Sequence, residues 1–289
     1  MKTSLDCIPC FVRQALEAIT LVSPKAGERQ RLMRYALRWI SDMKMGHSPP
    51  AVAQEFHRKL RERMKVKDPY RKAKDQHNSL AKALIPALRR HIEDSPDQLA
   101  MAVRFAITGN IIDLGAKNGV GFGDILAEMQ SAPMQPIFGN MDFFKKSVKE
   151  AKNILYLADN AGEIFFDRLL IEQLNRPNIT VAVRGAPVIN DATVRDARAA
   201  GLEEIAEVID NGSDAPGTLL DDCSRDFRHR FKAADVIIAK GQGNFETLKG
   251  VADNIFFLFR IKCPIISIHC GFDVGTYVAA NRFSLGVRI

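Results

Sequence analysis

Apolar positions are spaced in two different ways along the 289-residue chain, and the change falls near residue 150. Before it, apolar residues recur at intervals of three and four, which predicts amphipathic helices. Pro86 lies inside one such segment, where a proline is expected to kink or restart the helix. The clearest helical segments read FVRQALEAITLV, ERQRLMRYALRWISDMK, SPPAVAQEFHRKLRERM, AKALIPALRRHIED and DQLAMAVRFAITGNIIDLG.

After residue 150 the apolar runs become short and rich in β-formers. They read NILYLA, NITVAVR, EIAEVID, ADVIIAK, NIFFLFR and PIISIHC, and helix-like stretches separate several of them. This alternation predicts a mostly parallel sheet covered by helices on both faces. We therefore expect an α/β fold: a Rossmann-like α/β/α sandwich over residues 149–289, preceded by an N-terminal helical cap domain over residues 1–148.

The composition is that of a globular protein, with 46% hydrophobic and 26% charged residues. No apolar run approaches the roughly 20 residues that span a bilayer. The first residues lack the pattern of a signal peptide, so we expect a cytoplasmic protein without a membrane partner. Five cysteines make an odd number, which argues against a complete disulfide framework and favours reduced thiols.

The formal net charge is +7, and much of the excess lies between Arg58 and Arg90. A solvated helical surface, attraction of small anionic substrates and binding of nucleic acid would each account for it. Neither an RNA-binding aromatic signature nor zinc-finger spacing is present, so nucleic acid is the least favoured of the three.

The residues that follow the predicted strands carry the candidate chemistry. Ligands of open parallel sheets bind outside the carboxyl ends of the strands. Here those ends are followed by DNAGE, GAPVIND, GQGNFE and CGFD, which are rich in glycine, acids and amides. Neither the GxGxxG dinucleotide fingerprint nor a Walker A motif is present.

Acidic and amide side chains at two strand ends predict a metal site. Asp159 and Asn160 end one strand, and Asp191 follows the next. A carboxylate at this position would repel a phosphate unless a cation lay between them, and such oxygen ligands suit divalent ions. The alternative is that these residues cap helices, with Glu163 stabilising the positive helix start.

Lys240 and the glycines of KGQGN supply the complementary charge. Gly241 and its neighbour Gly243 would let backbone N–H groups approach a phosphate, which Lys240 would neutralise. The alternative is a solvated strand end followed by a plain turn. Beside a metal site, phosphoryl chemistry is the simpler interpretation.

Several of these segments resemble one known family. DNAGEIFFD, RGAPVINDAT and KGQGNFE are similar to signature segments of the damage-control phosphatases, first catalogued as domain-of-unknown-function family eighty-nine. In the first half, LDCIPCFVRQAL, KDPYRKAKDQHN and ITGNIIDLG resemble motifs of that family's helical domain. The CxxC pair in the first of these resembles the archaeal and bacterial branch. The resemblance runs over nearly the whole chain, with the motifs in order.

The resemblance implies a phosphatase that uses a divalent ion (manganese, cobalt, nickel or magnesium) on small phosphorylated metabolites, such as sugar phosphates or damaged cofactor-related phosphates. It assigns the metal ligands to Asp159, Asn160 and Asp191. Asp159 would also orient the nucleophile, which is either water or its own carboxylate. The resemblance assigns the surroundings of the substrate phosphate to a further set of residues: Glu163, Lys240, Asn244, Asn110, Asp113 and, less directly, Arg184.

Cys7 and Cys10 form a single CxxC pair at the predicted start of a helix. Such a pair is half of a four-ligand zinc site or a redox pair, and buried packing thiols are a third interpretation. No second CxxC completes a zinc pattern, although Cys263, His269 and Cys270 are candidate partners.

Two other functions fit the sequence less well than phosphatase activity. A methyltransferase using S-adenosylmethionine would have a glycine-rich first turn and an acid after its second strand, whereas this chain has DNAGE and Arg184-Gly185. A non-catalytic nucleotide- or nucleic-acid-binding protein is favoured only by the basic charge.

Overall fold

The computed structural model describes residues 1–23, 25–109 and 122–282. The described ranges also contain three short 3₁₀ segments, at Leu5–Cys7, Ala132–Met134 and Leu202–Glu204. The α-helices in these ranges are α1 (Ile8–Val22), α2 (Ala26–Ser41), α3 (Pro49–Met64), α4 (Arg71–Glu93), α5 (Gln98–Thr108), α6 (Phe122–Ser131), α7 (Met141–Glu150), α8 (Glu163–Leu174), α9 (Val194–Ala199), α10 (Arg225–Ala233), α11 (Gly241–Leu248) and α12 (Pro264–Cys270).

The described strands form one seven-stranded sheet, in the order β1-β7-β6-β5-β2-β3-β4. Neighbouring strands are parallel except β6 and β7, which are antiparallel. The strands are β1 (Ile137–Phe138), β2 (Ile154–Leu157), β3 (Ile179–Val183), β4 (Glu207–Asp210), β5 (Val236–Lys240), β6 (Ile255–Arg260) and β7 (Tyr277–Ala280). The predicted mostly parallel α/β fold is therefore confirmed.

The strand order reverses direction between β2 and β5. From β2 the chain moves outward through β3 to β4, and it then returns to place β5 on the other side of β2. In open α/β sheets such a switch point opens a crevice at the carboxyl ends of the two strands. The loops after β2 and β5 are DNAGE and GQGN, so the topology brings these two predicted segments together.

Strand β2 is buried on both sides, which explains its continuous apolar sequence. Ile154 and Tyr156 belong to the core on one face of the sheet, and Leu155 and Leu157 belong to the core on the other. The alternation follows the pleat of the strand, in which successive side chains point to opposite faces.

The helical first half is divided between two cores. Helices α1 to α3 share a core of their own, in which Phe11, Phe56 and Tyr70 are buried. Helices α4 and α5 instead contribute Leu84, Phe105 and other residues to the core on one face of the sheet. Helices α4 and α5 therefore share a core with the sheet, and β1, which precedes residue 148, pairs with β7; the domain boundary near residue 148 stays a prediction.

One expectation about local structure is wrong. PIISIHC forms helix α12 rather than a strand, because its pattern is helical: Ile266 and Cys270 are buried four residues apart, while Ile268 is 76% exposed. Helix α4 continues through Pro86. The proline and Lys82, whose carbonyl loses its helical partner, both lie on the exposed side, where water can satisfy that carbonyl.

Within the described ranges, no helix is both long and apolar enough to cross a membrane.

Candidate active site

The loops after β2 and β3 are joined by backbone hydrogen bonds. Ala161 N donates to Asn190 O (2.9 Å), and Ala192 N donates to Asp159 O (2.8 Å). An isolated antiparallel bridge pairs Asn160 with Asp191. The predicted ligand residues, separated by about thirty positions in the sequence, therefore lie side by side at the edge of the sheet.

Asn160 connects the two carboxylates of the first loop. Its Nδ2 donates to Asp159 Oδ2 (2.7 Å) and to Glu163 Oε2 (2.9 Å). All three side chains are buried, and Glu163 is only 1% exposed. Glu163 is the first residue of α8, where a carboxylate also favours the positive helix end. The position of Glu163 is therefore compatible both with stabilisation of the helix start and with a role in the predicted site.

Arg184 lies between the two loops and points into the site. Its Nε donates to Asp191 Oδ2 (2.6 Å), and its Nη2 lies 3.7 Å from Asp159 Oδ1. Nη2 is buried and has no hydrogen-bond partner among the described residues. A buried guanidinium N–H without an acceptor is costly, so this atom is suited to receive an oxygen of a ligand.

Gly241 packs directly against the Asp159 carboxylate. A Cβ at this glycine would overlap both carboxylate oxygens of Asp159, and its φ of +77° favours glycine on its own account. Gly241 begins α11, whose first backbone N–H groups have no acceptor within the helix. The structure thus shows that Gly241 approaches Asp159 closely, while the approach of its N–H to a phosphate stays a prediction.

Lys240 is fully buried and faces carboxylates. Its Nζ donates to Glu163 Oε1 (2.7 Å), Asp167 Oδ1 (2.6 Å) and Ala106 O (2.7 Å). These three bonds use all three ammonium protons. Direct contact with a phosphate, as predicted, would require the ammonium to leave one of these partners.

Asn244 is also fully buried, below the start of α11. Its Nδ2 donates to Lys240 O (2.7 Å), and its Oδ1 accepts from Thr218 Oγ1 (2.8 Å) and from Arg184 Nη1 (3.5 Å). In this structure Asn244 therefore links the strand end of Lys240 to the guanidinium of Arg184.

The electrostatics of the site are set by crowded, buried carboxylates. Burial, and then the charges of Glu163 and Asp191, raise the pKa of Asp159 well above its usual range, although Arg184 and Lys262 act in the opposite direction. Behind the site, burial raises the pKa of Asp167 to about 6 against the lowering effect of Lys240.

The donor atoms fit a hard divalent cation. In the part of the chain that the structure describes, no three His, Cys, Asp or Glu side chains form a ready-made metal site. The predicted set instead has two carboxylates and an amide, all of which offer oxygen atoms. A cation beside Asp159 would relieve the repulsion that raises its pKa.

Helix α4 contributes polar residues to which the sequence interpretation assigned no role. Asn78 Oδ1 accepts from Gly162 N (2.7 Å), and Lys74 Nζ lies 3.1 Å from Asp68 Oδ2 and 3.4 Å from the Asp191 carbonyl oxygen. Lys74 is fully buried. The sequence did contain a signal for these buried polar residues, because they share a helix face with the apolar Ala73, Ala81 and Leu84.

The remaining predicted residues lie elsewhere. Asn110 and Asp113 fall outside the described residues. Cys7 precedes α1 and Cys10 lies in its first turn, as predicted; Cys7 Sγ is 3.7 Å from Ser4 Oγ, and Cys10 is exposed. All five cysteines are thiols. The role of the CxxC pair stays a prediction.

Comparison with known proteins places this geometry in context. Residues 3–278 match the family model described as the damage-control phosphatase ARMT1-like domain. A damage-control phosphatase of Pyrococcus horikoshii is 33% identical, over 99% of this chain and 100% of its own length. One of Archaeoglobus fulgidus is 34% identical, over 96% of this chain and 99% of its own.

An uncharacterized protein of Methanocaldococcus jannaschii is 33% identical, over 98% of this chain and 96% of its own length. Among solved structures, a crystal structure of a family-eighty-nine protein from Pyrococcus horikoshii superposes with a TM-score of 0.89 at 31% identity. The superposition covers 97% of this chain and 99% of that one.

Proposed function

Because the chain belongs to the damage-control phosphatase ARMT1-like domain family, we propose that it is a divalent-metal-dependent phosphatase acting on small phosphorylated metabolites, such as sugar phosphates or damaged cofactor-related phosphates. One observation carries the metal dependence. Among the described residues, four buried carboxylates (Asp159, Glu163, Asp167 and Asp191) form ion pairs with the two buried cations Arg184 and Lys240, while the buried Lys74 pairs with Asp68. When all four carboxylates are ionised, these six side chains carry two more negative than positive charges, which a divalent ion would balance.

The ion would be held by Asp159, Asn160 and Asp191, with manganese, cobalt, nickel and magnesium as candidates. When bound, such an ion would neutralise charge on the phosphate and lower the pKa of a coordinated water. Arg184 keeps Asp191 in place through the bond from its Nε (2.6 Å).

The protein's own groups then bind and orient the phosphoryl group. Arg184 Nη2 has no hydrogen-bond partner among the described residues. In the proposed complex it donates to one phosphate oxygen. The first turn of α11, beginning at Gly241, offers backbone N–H groups on the same side as Asp159. These donors stabilise charge on the equatorial oxygens during transfer.

Asp159 orients the nucleophile, and the residues behind it hold it in place. Asn160 binds both Asp159 and Glu163, and Lys240 fixes Glu163 from below. Lys240 therefore contributes to phosphoryl transfer by ordering Glu163. Burial of this cluster excludes bulk water, which strengthens each electrostatic interaction in the site.

A screen of phosphate release tests the proposal. Purified protein is assayed against a panel of sugar phosphates and other phosphorylated metabolites, each with manganese, cobalt, nickel or magnesium and with EDTA. We expect metal-dependent release that Asp159→Ala abolishes without altering the far-UV circular dichroism spectrum. Asp42→Ala, which changes an exposed carboxylate on the helical side, serves as the matched control.

Turnover of the same ester by Asp159→Ala would refute the assignment of this residue. Release that is undiminished by EDTA would refute the metal dependence. Strong, salt-dependent binding of nucleic acid with no phosphate release from any substrate would instead support a binding protein.

A further inference from the structure

Asn78 on α4 is bonded to the loops that carry both halves of the candidate metal site. Its side chain is buried, at 7% exposure. Its Oδ1 accepts from Gly162 N (2.7 Å), and its Nδ2 donates to Asp196 Oδ1 (2.9 Å). Gly162 belongs to the loop after β2, and Asp196 lies in the first turn of the helix after β3.

Each of these bonds fixes a turn next to a predicted ligand. Gly162 has a φ of +78° and lies between Asn160 and Glu163, so the bond to its N–H holds the sharp turn of DNAGE. Asp196 forms the capping box of α9 with Thr193, two residues after Asp191. The amide of Asn78 thus joins the two turns from the helical side, in addition to the backbone bonds between the loops.

The two bonds require an amide at position 78. The Gly162 N–H needs an acceptor, and the fully buried Asp196 carboxylate takes Asn78 Nδ2 as one of its donors, beside Arg71 Nη2 (2.9 Å) and Thr193. A carboxylate at position 78 would repel Asp196, and an apolar side chain would leave the Gly162 N–H without this acceptor and remove one donor from Asp196. Lys74, one turn earlier on the same helix face, approaches the carbonyl oxygen of Asp191 (3.4 Å).

We propose that Asn78 is a positioning residue that, together with the backbone bonds between the two loops, holds the Asp159–Asn160 pair against Asp191 and thereby raises the affinity for the divalent ion. It acts through Gly162 and Asp196 and touches neither ion nor substrate. The inference rests on the proposed function and extends the site to the helical half of the chain.

Binding of Mn²⁺, followed by electron paramagnetic resonance of the free ion, tests this role without a substrate. We expect Asn78→Leu and Asn78→Asp to raise the Kd for Mn²⁺ by about tenfold or more, as loss of outer partners of metal ligands commonly does. Leu84→Ala is the matched control, because it opens a cavity in the core farther along the same helix. It lowers the melting temperature and changes the Kd by less than about twofold.

The double variant Asn78→Asp with Asp196→Asn exchanges the carboxylate and the amide. It restores one donor and one acceptor between the two positions, although Arg71 and Thr193 then face an amide, so we expect it to recover part of the Mn²⁺ affinity that Asn78→Asp loses. If the single variants do not fold, a folded double variant that binds Mn²⁺ still shows that the pair of side chains at positions 78 and 196 supports the site.

Asn78 variants that bind Mn²⁺ as tightly as the wild type would overturn the positioning role. So would a Leu84→Ala protein weakened to the same extent, or a double variant that does not recover. If the wild type itself neither binds Mn²⁺ nor releases phosphate, the proposed function fails at its first step, which is a different result.

Discussion

The backbone of Gly241 packs against the carboxylate of Asp159 so closely that no side chain fits between them. The contact joins the carboxyl ends of β5 and β2 across the switch point of the sheet. It therefore links the start of α11 to the residue on which the proposed chemistry depends most.

Gly241→Ala should disable the site. Alanine at a φ of +77° carries strain of about 1–3 kcal/mol, and its Cβ would also displace the Asp159 carboxylate. Because a misplacement of about 1 Å costs on the order of 100-fold in rate, we expect kcat/KM for phosphate release to fall by about that factor.

Gly271→Ala provides a matched control for the backbone strain. Gly271 has nearly the same φ, +76°, but a Cβ there meets nothing within 4 Å. This variant should lose stability to a similar extent and keep its activity. Equal losses of kcat/KM in the two variants would show that the contact with Asp159 is unimportant.

The buried Asp167 predicts an unusual dependence of stability on pH. Its pKa is raised to about 6 by burial, so the folded state binds its proton more tightly than the unfolded state, whose pKa is near 3.8. The stabilisation from this proton is complete below about pH 4 and is lost as the pH rises through about 6, a change of about 3 kcal/mol.

Comparison with Asp167→Asn isolates this contribution. The free energy of unfolding of the wild type, relative to the variant, should fall between pH 4 and 7 in urea titrations. Asp42→Asn, at an exposed position, should follow the wild type. A wild-type stability that rises relative to Asp167→Asn over this range would contradict the prediction.

Asp214 holds the helices α1 to α3 onto the sheet. It accepts from Gln54 Nε2 (2.9 Å), Arg58 Nε (2.8 Å) and Arg61 Nη2 (2.5 Å) on α3, while it lies in the loop after β4. Asp214→Ala removes these charge-assisted bonds and should destabilise the helical layer by about 2 kcal/mol.

The single tryptophan makes this local effect measurable. Trp39 on α2 packs against Phe56 on α3, with ring centroids 5.1 Å apart. In Asp214→Ala, the urea transition followed by tryptophan fluorescence should shift farther than the one followed by far-UV circular dichroism. Asp226→Ala, which removes an exposed carboxylate on α10, should shift neither; identical shifts in Asp214→Ala would argue against a separate helical layer.

The thiols should react in two groups. Burial raises the pKa of Cys223 to about 12 and that of Cys270 to about 11, so at pH 8 no more than about one in a thousand of either is a thiolate. Cys10 is exposed at the start of α1. We expect Ellman's reagent to modify Cys10 quickly and the two buried thiols only after unfolding.

Cys10→Ser should remove the fast phase of this reaction, and Cys223→Ser should leave it unchanged. A fast phase that survives Cys10→Ser would assign it to Cys7 or Cys263 instead.

The sequence was sufficient to predict that Asp159, Asn160 and Asp191 come together. Asp159 and Asn160 follow a short apolar run and Asp191 lies in the loop after the next one, and parallel strands end at one edge of the sheet. The prediction needed only the direction of the strands, which the intervening helices determine.

The surroundings of Lys240 were harder to predict, although a signal existed. Val236 and Ile238 face the core beneath α8, and alternation along β5 sends Lys240 to the same side. Alternation could not indicate that the Lys240 ammonium contacts Glu163 and Asp167 on that side. The partners of Asn78 are more remote still, because they are a backbone N–H and a buried carboxylate more than eighty positions away.

PIISIHC shows a different failure, in which the sequence carried no decisive signal. Its seven residues are β-rich, and only the contrast between buried Ile266 and exposed Ile268 distinguishes the helix from a strand. That contrast is a property of packing, so a short apolar run cannot display it in advance.

The ammonium of Lys240 has a consequence for how this chain is made. Ribosomal synthesis delivers Glu163 and Asp167 more than seventy residues before the cation that neutralises them. Until β5 emerges, β2 also lacks the neighbour on one of its edges. The nascent chain must therefore keep these carboxylates hydrated or protonated until Lys240 is available, and β2 can complete its pairing only after β5 has been made.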